Sequence, residues 1–435
     1  MEPIRVGLLG LGVVGGGTFK VLARNAEEIA RRAGRHIVVT KVSARNLDKA
    51  RLRVGDAAEI VADPFDIVRA PDIDVVVELI GGDTLARELV TEAIRQGKHV
   101  VTANKALLAK HGNEIFALAH QHHVMVAFEA AVAGGIPIIK AIREGLSANR
   151  IEWVAGIING TTNFILSEMR ARGLPFAEVL KEAQALGYAE ADPTFDIEGV
   201  DAAHKLSLLA ALAFGIPVQF EHAHIEGIST LDQQDIRYAE ELGYRIKLLG
   251  ITKARPEGVE LRVHPALVDQ HQVMANVDGA MNAVMVKGDA VGATLYYGQG
   301  AGEEPTASAV VADLVDVARL LTADPGHRVP HLAFQHDAIT DQPILPIDEV
   351  RTCYYLRLTV NDIPGVLADI TRILADADIS IVSMIQKPRP DVTQADIIFI
   401  THEALERNVK IAITRIESLT TVLSSVTYLR IENLG

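Results

Sequence analysis

In the stretch from Gly187 to Lys205, five carboxylates (Glu190, Asp192, Asp196, Glu198 and Asp201) precede a lysine. Asp201 and Lys205 stand four residues apart, which places them on one helix face, and that face continues to Leu208 and Leu212. Lys205 therefore points along an apolar stripe. A lysine held there has its pKa lowered toward working pH while a nearby carboxylate partly opposes the shift, and a group tuned this way can transfer protons. The residues alone leave a second reading open, because an Asp–Lys pair at this spacing is usually a solvated surface pair contributing about 0.3–0.5 kcal/mol.

A second constellation lies at the N-terminal end. The strand-like Ile4–Leu9 runs into Gly10-Leu11-Gly12-Val13-Val14-Gly15, followed by a helical pattern through Arg32. Gly10 permits a tight turn, Gly12 lets a pyrophosphate approach the backbone, and Gly15 lets helix and strand pack closely while the helix N-terminus faces the anion. This predicts a dinucleotide site. At the end of the second strand an Asp or Glu would accept both ribose hydroxyls of NAD. The chain reads Val42-Ser43-Ala44-Arg45 instead, and a guanidinium at Arg45 suits a 2′-phosphate. NADPH is favoured over NADH, with Arg45 as a solvated loop charge the alternative.

The elements that must carry these groups follow from periodicity. Apolar runs at Ile4–Leu9, Ile37–Val42, Val75–Leu79, His99–Thr102 and Val124–Phe128 alternate with helical patterns at Thr84–Gln96 and Lys105–Gln121. That is the rhythm of a Rossmann-type, doubly wound parallel sheet over residues 1–134. From 135 to 304 helical Phe176–Leu186 and Gly199–Phe214 mix with strands at Ile151–Ile158, Lys247–Lys253 and Val259–Val268, predicting an α+β substrate and dimerisation domain. A helix near 305–322 is expected to return to the first domain. Residues 323–350 hold Pro325, Pro330, Pro343 and Pro346 without a period and read as a linker. Beyond it, 351–435 alternate as βαββαβ, a ferredoxin-like module. The class is α/β.

Bulk properties narrow the partners. A net charge of -14 over 435 residues would repel a phosphate backbone, so nucleic acid is excluded. The apolar stretch around 206–218 is broken by Gly215 and Pro217 and is too short for a bilayer. A lone cysteine, Cys353, and no signal-peptide pattern point to the cytoplasm. His120, His122 and His123 end a helix, where cations are favoured, and His222 with His224 lack cysteine neighbours, so no zinc site is assigned.

From Ala183 to Lys205 the order Ala183, Gly187, Tyr188, Asp192-Pro193, Asp196, Gly199, Asp201, Lys205 resembles the homoserine dehydrogenase signature. So do Val101–Leu107, Phe128–Pro137, Gly156–Asn163 and Gly300-Ala301-Gly302 before Pro305-Thr306, a likeness running in order over roughly 1–325. The resemblance implies interconversion of aspartate 4-semialdehyde and homoserine. It makes Lys205 and Lys105 the catalytic lysines and gives Glu190, Asp201 and Asp196 to the substrate. Contacts to the cofactor come from Gly10, Gly12, Val13, Val14, Gly15, Arg45, Lys105, Gly187, Glu190 and Gly302. It also implies a sodium ion on the carbonyls of Glu129, Val132, Gly134 and Ile136, where a plain glycine turn before Pro137 accounts for the same residues. Family members form homodimers or homotetramers.

Leu358–Leu367 resembles the ACT domain, a regulatory amino-acid-binding fold. By analogy the turn holding Asn361, Asp362 and Gly365 binds an amino acid, threonine being the expected effector, with carboxylate on the helix-start amides and ammonium on Asp362 or Asn361. A pairing module without ligand is the alternative. Two rivals remain: an aldehyde-oxidising dehydrogenase, which needs a catalytic cysteine where Cys353 is misplaced, and a non-catalytic amino-acid sensor, against which Lys105, Glu190, Asp201 and Lys205 argue.

Overall fold

The structure is a computed structural model that describes residues 2–389 and 393–435. Six parallel strands, β1 (Ile4–Leu9), β2 (Ile37–Ser43), β3 (Glu59–Val61), β4 (Val75–Glu78), β5 (His99–Thr102) and β6 (Val126–Ala127), lie in the order β3-β2-β1-β4-β5-β6. Helices α1 (Val13–Arg24), α2 (Ala26–Ala33), α3 (Leu47–Val54), α4 (Pro64–Val68), α5 (Thr84–Arg95) and α6 (Lys105–Gln121) cover both faces. Strands so covered are apolar on both sides, which is why β4 and β5 are buried throughout. The helix expected through Arg32 is two, parted at Asn25, whose ψ of 20° breaks the α path while its carbonyl accepts from Ile29 N–H.

The second unit holds α7 (Ile138–Lys140), β7 (Ile151–Ile157), α8 (Gly160–Arg172), α9 (Phe176–Ala185), α10 (Thr194–Ile197), α11 (Val200–Phe214), β8 (His224–Ile225), α12 (Gln233–Glu241) and β9 (Tyr244–Arg255). It continues with β10 (Gly258–Asp269), β11 (Met281–Gly288) and β12 (Gly292–Gln299). Helix α11 is buried from Asp201 to Ala213, so it is apolar nearly all round, as a central helix must be. Helix α13 (Glu303–Leu320) then crosses back, and its Ala307, Val310 and Leu314 share a core with Val6, Leu8 and Val21.

The third unit runs β13 (Arg351–Asn361), α14 (Val366–Asp376), β14 (Ile381–Pro388), β15 (Gln394–Thr401), β16 (Ala404–Leu405), α15 (Glu406–Glu417) and β17 (Thr427–Glu432). Its sheet does not stand apart. Strand β17 inserts between β13, antiparallel, and β10, parallel, with Ala266 opposite Arg430 and Val268 opposite Glu432. One sheet of eleven strands results. Residues 323–350 lack regular period but are docked: Thr340 N–H donates to Gly215 O at 2.8 Å, Val259 N–H to Pro343 O at 2.9 Å, and Leu345 N–H to Val259 O at 2.8 Å.

The seam between the units is charged, and its central pairs are buried. Arg262 donates to Glu432 at 2.5 Å and Glu260 at 3.0 Å, and Asp235 receives Arg357 at 2.5 and 2.9 Å and the Tyr355 hydroxyl at 3.0 Å. Lys387 pairs with Glu241 across the same seam. Among the described residues no helix is long and apolar enough to cross a membrane.

Burial lowers His99 from 6.5 to about 4, and its Nδ1 accepts from Met125 N–H at 2.8 Å, so the folded ring is neutral. The unfolded chain takes up that proton as pH falls through 6.5, so stability is lost from there down to about 4. His99→Asn, which keeps an acceptor for Met125, is expected to remove up to about 3 kcal/mol of this acid-induced loss. Urea unfolding at neutral pH and near pH 5 checks it; parallel acid slopes in both proteins would refute it.

Candidate active site

The glycine loop is shaped by contact. Gly10 has φ +91°, and a Cβ there would lie 2.8 Å from Leu79 O; at Gly15 it would lie 2.1 Å from Gly10 O. Gly12 opens on free space and caps α1. In front of the loop lies a cleft of about 520 Å³ bordered by Gly10, Gly12, Val13, Arg45, Lys49 and Arg53. Val14 and Gly15 do not line it: Val14 packs into the core and Gly15 is buried. Lys49 and Arg53 are cations that sequence reasoning missed. They stand four apart on α3, a spacing that could have revealed them. Arg53 Nη1 donates to the carbonyls of Leu11 and Gly12 at 2.5 and 2.6 Å.

Across from this unit, α11 presents Asp201 and Lys205. Lys205 Nζ donates to Asp201 Oδ2 and to Ile158 O, both at 2.7 Å, with its side chain 11% exposed. Lys105 is the first residue of α6, and its Nζ reaches Asp201 Oδ1 at 3.1 Å. Two lysines from two units thus converge on one carboxylate. Asn104 fixes Lys105 by capping α6 through Leu107 N–H and donating to Gly82 O at 2.6 Å.

Asn159, which the sequence offers only as part of the Gly156–Asn163 segment, caps α8 and does more. Its Oδ1 accepts from Thr162 N–H while its Nδ2 donates to Asp196 Oδ1 and Asp201 Oδ2, each at 2.8 Å. Burial would raise the Asp201 pKa, but Lys205 and Lys105 outweigh it and hold the carboxyl well below the usual range. Burial and the Lys105 charge push Lys205 down from the ordinary lysine value, against the pull of Asp201. Asp196 is pushed up by burial and by the Asp201 charge.

Other expected residues lie further off. Glu190 is exposed, and its carboxylate has no ion-pair partner among the described residues. Gly187, with φ +77°, ends the turn after α9, and Gly302, with φ +129°, caps α13; neither borders the cleft. Glu129, Val132, Gly134 and Ile136 are buried in one turn, where a Cβ on Gly134 would meet Gly300 O at 2.4 Å. The Ile136 carbonyl accepts from Ile138 N–H at 2.8 Å, whereas those of Val132 and Gly134 accept no hydrogen bond among the described residues. Asn361, Asp362 and Gly365 form the β13–α14 turn. Gly365 has φ +98°, and Asp362 accepts from Gln386 Nε2 at 2.9 Å.

A glycine-loop cleft on a parallel sheet, facing a buried Lys–Asp pair on a neighbouring α+β unit, defines an NAD(P)-dependent dehydrogenase, here carrying a ferredoxin-like ACT domain. Known proteins specify it further. The family model for "Homoserine dehydrogenase, NAD binding domain" matches residues 10–129, that for "Homoserine dehydrogenase" 137–315, and that for "ACT domain" 354–421. The homoserine dehydrogenase of Pseudomonas aeruginosa is 61% identical, with all of both chains covered. The crystal structure of a homoserine dehydrogenase from Thiobacillus denitrificans superposes with a TM-score of 0.96 at 68% identity, covering 100% of this chain and 99% of that one. A hyperthermophilic archaeal homoserine dehydrogenase in complex with NADPH gives 0.64 at 25% identity, covering 74% of this chain and 99% of its own. The chain belongs to the homoserine dehydrogenase family, oxidoreductases that act on a CH–OH group with NAD(P).

Proposed function

We propose that the protein reduces L-aspartate 4-semialdehyde to L-homoserine with NADPH, in the route to threonine, methionine and isoleucine. The observation that carries this reading is the valence of Lys205. An ammonium has three N–H groups, and two are engaged by Asp201 and Ile158 O, which leaves one for the substrate oxygen. The cofactor, when bound, supplies hydride to the aldehyde carbon. Negative charge then grows on the oxygen, and the free N–H of Lys205 delivers the proton there. Lys105 sets a second cation at the same mouth, and no metal is needed for the charge. Because the Asp201 carboxylate is shared by both lysines and Asn159, Asp201 orients them first. Exposed Glu190 is then the free carboxylate for the substrate's ammonium group, with Asp196 bracing the pair through Asn159.

Support for NADPH comes from Arg45 and Lys49, which line the cleft after the end of β2, where a 2′-phosphate would be recognised, while Arg53 lies over the glycine loop. The open carbonyls of Val132 and Gly134 suit a monovalent cation such as sodium beside Glu129 and Ile136. The β13–α14 turn is the place for threonine. We take 1–134 with 305–322 as the cofactor domain, 135–304 as the substrate domain, 323–350 as the connector and 351–435 as the regulatory domain, assembled as a homodimer or homotetramer in the cytoplasm.

Mixing the protein with NADPH and aspartate 4-semialdehyde is expected to consume NADPH; a folded, NADPH-binding protein that leaves it untouched would sink the reading. A cation lost from a phosphate contact removes about 1.5–3 kcal/mol. Arg45→Ala is therefore expected to raise KM for NADPH about tenfold or more while KM for NADH stays put. Equal changes for both cofactors would remove Arg45 from that role.

A further inference from the structure

The turn that carries Asp196 is not self-supporting. It comprises α10 and the bend to Gly199, which opens α11 at φ +82°, and it is closed by Gly199 N–H to Asp196 O at 3.0 Å. Its outer side rests on residues 226–228. Ile228 N–H donates to Ile197 O at 2.8 Å. A Cβ on Gly227 would lie 2.5 Å from Ile197 O and 2.6 Å from Glu198 Cα, so backbone meets backbone there.

Residues 226–228 are held in turn by β10 of their own unit and, through Arg430, by the C-terminal module. β8 pairs with β10, and Glu226 N–H donates to Val263 O at 2.8 Å. The Glu226 carboxylate accepts both terminal nitrogens of Arg430 on β17, at 2.8 and 2.9 Å, and lies 2.7 Å from His224 Nε2. Arg430, 1% exposed, is fixed from its other side by Glu406 at 2.6 and 2.8 Å. From Arg430 to the turn there are thus two steps: an ion pair, then a backbone contact.

We propose that Glu226, clamped by Arg430, is a positioning residue for the reduction. Through Gly227 and the Ile228–Ile197 hydrogen bond it sets the 194–199 turn, and with it Asp196 and the start of the helix bearing Asp201 and Lys205. The ACT module therefore builds part of the catalytic geometry with no effector bound. The inference rests on the reading that Lys205 and Asp196 serve the substrate.

The test compares Glu226→Gln and Gly227→Ala with Asp235→Asn in the full chain. The last loosens the same seam at a pair that does not touch 226–228. Small misplacements of catalytic groups cost up to about 10²-fold, so Glu226→Gln and Gly227→Ala are expected to lower kcat about tenfold or more and to raise KM for homoserine. KM for NADP should stay within about twofold, as the cofactor contacts are untouched. Asp235→Asn should lose thermal stability yet keep wild-type kcat. Gly227→Ala leaves every charge in place, so it decides the matter if Glu226→Gln does not fold; Arg430→Lys, a fourth variant that keeps the charge but not the fork on Glu226, is expected to lower kcat in the same direction. Folded variants with kcat and homoserine KM within about twofold of wild type would overturn the proposal, as would an equal kcat loss in Asp235→Asn. If Lys205→Ala kept full turnover while Gly227→Ala lost it, the role of Lys205 would fall and the positioning would stand.

Discussion

Lys205→Ala is expected to lower kcat at least about 10²-fold while NADPH binds as before, because general acid–base groups contribute about 10²–10⁴-fold. The fold should survive the change. Asp201 keeps Asn159 at 2.8 Å and Lys105 at 3.1 Å, so its charge is not left bare in the interior. The cofactor cleft lies on the other unit and shares no residue with α11. Steady-state kinetics with a fluorescence titration of NADPH separate the two quantities. A variant that turns over within a few-fold of wild type would show that the proton comes from elsewhere, with Lys105 next in line.

The second large effect is on stability. Glu432 is 1% exposed and takes Arg262 at 2.5 Å and Lys253 at 3.0 Å. Both cations hold its carboxyl far below the ordinary range although burial pushes the other way. Glu432→Ala leaves Arg262, itself 1% exposed, facing Arg430 with Glu260 as its remaining ion-pair partner among the described residues. Breaking a buried pair from one side costs about 3–5 kcal/mol, a large part of the about 5–15 kcal/mol that holds a domain together. Since β10 belongs to the catalytic unit and β17 to the ACT module, the loss is expected in a single transition seen by both. Denaturant unfolding followed by the lone tryptophan, Trp153 on β7, and by activity checks this. An unchanged Trp153 transition beside early melting of the module would contradict it.

What could be read from the residues, and what could not, divides along physical lines. Strand β1 and the glycine loop were legible because strand–turn–helix context and glycine chemistry are local. The helix face joining Asp201 to Lys205 was legible because 3.6-residue periodicity is local too. Helix α8 escaped notice: its buried face mixes Thr161, Thr162, Asn163 and Ser167 with Ile165, Leu166 and Met169, so the apolar period is interrupted over its first turns. The partnership of β10 with β17 was hidden for a related reason. Glu260, Arg262 and His264 alternate with Val259, Leu261 and Val263, the pattern of a strand with one face in water, yet the strand is buried from Gly258 to Val268. Ion pairs from a distant segment replace the solvent there, and no local signal announces them. The docking of residues 323–350 through Pro343 and Thr340 is likewise a long-range fact.

The place of β17 also governs how the molecule comes to be made. This strand is translated after the other sixteen, yet it lies in the interior of the sheet, between β10 and β13. While the ribosome works through the ACT segment, β10 presents an unfilled ladder and a row of uncompensated charges, the kind of nascent edge that recruits chaperones or sticks to its neighbours. Closure of the sheet beside the reaction centre therefore waits for β17, the last of the described strands in chain order, whatever the pace at which the dinucleotide half folds.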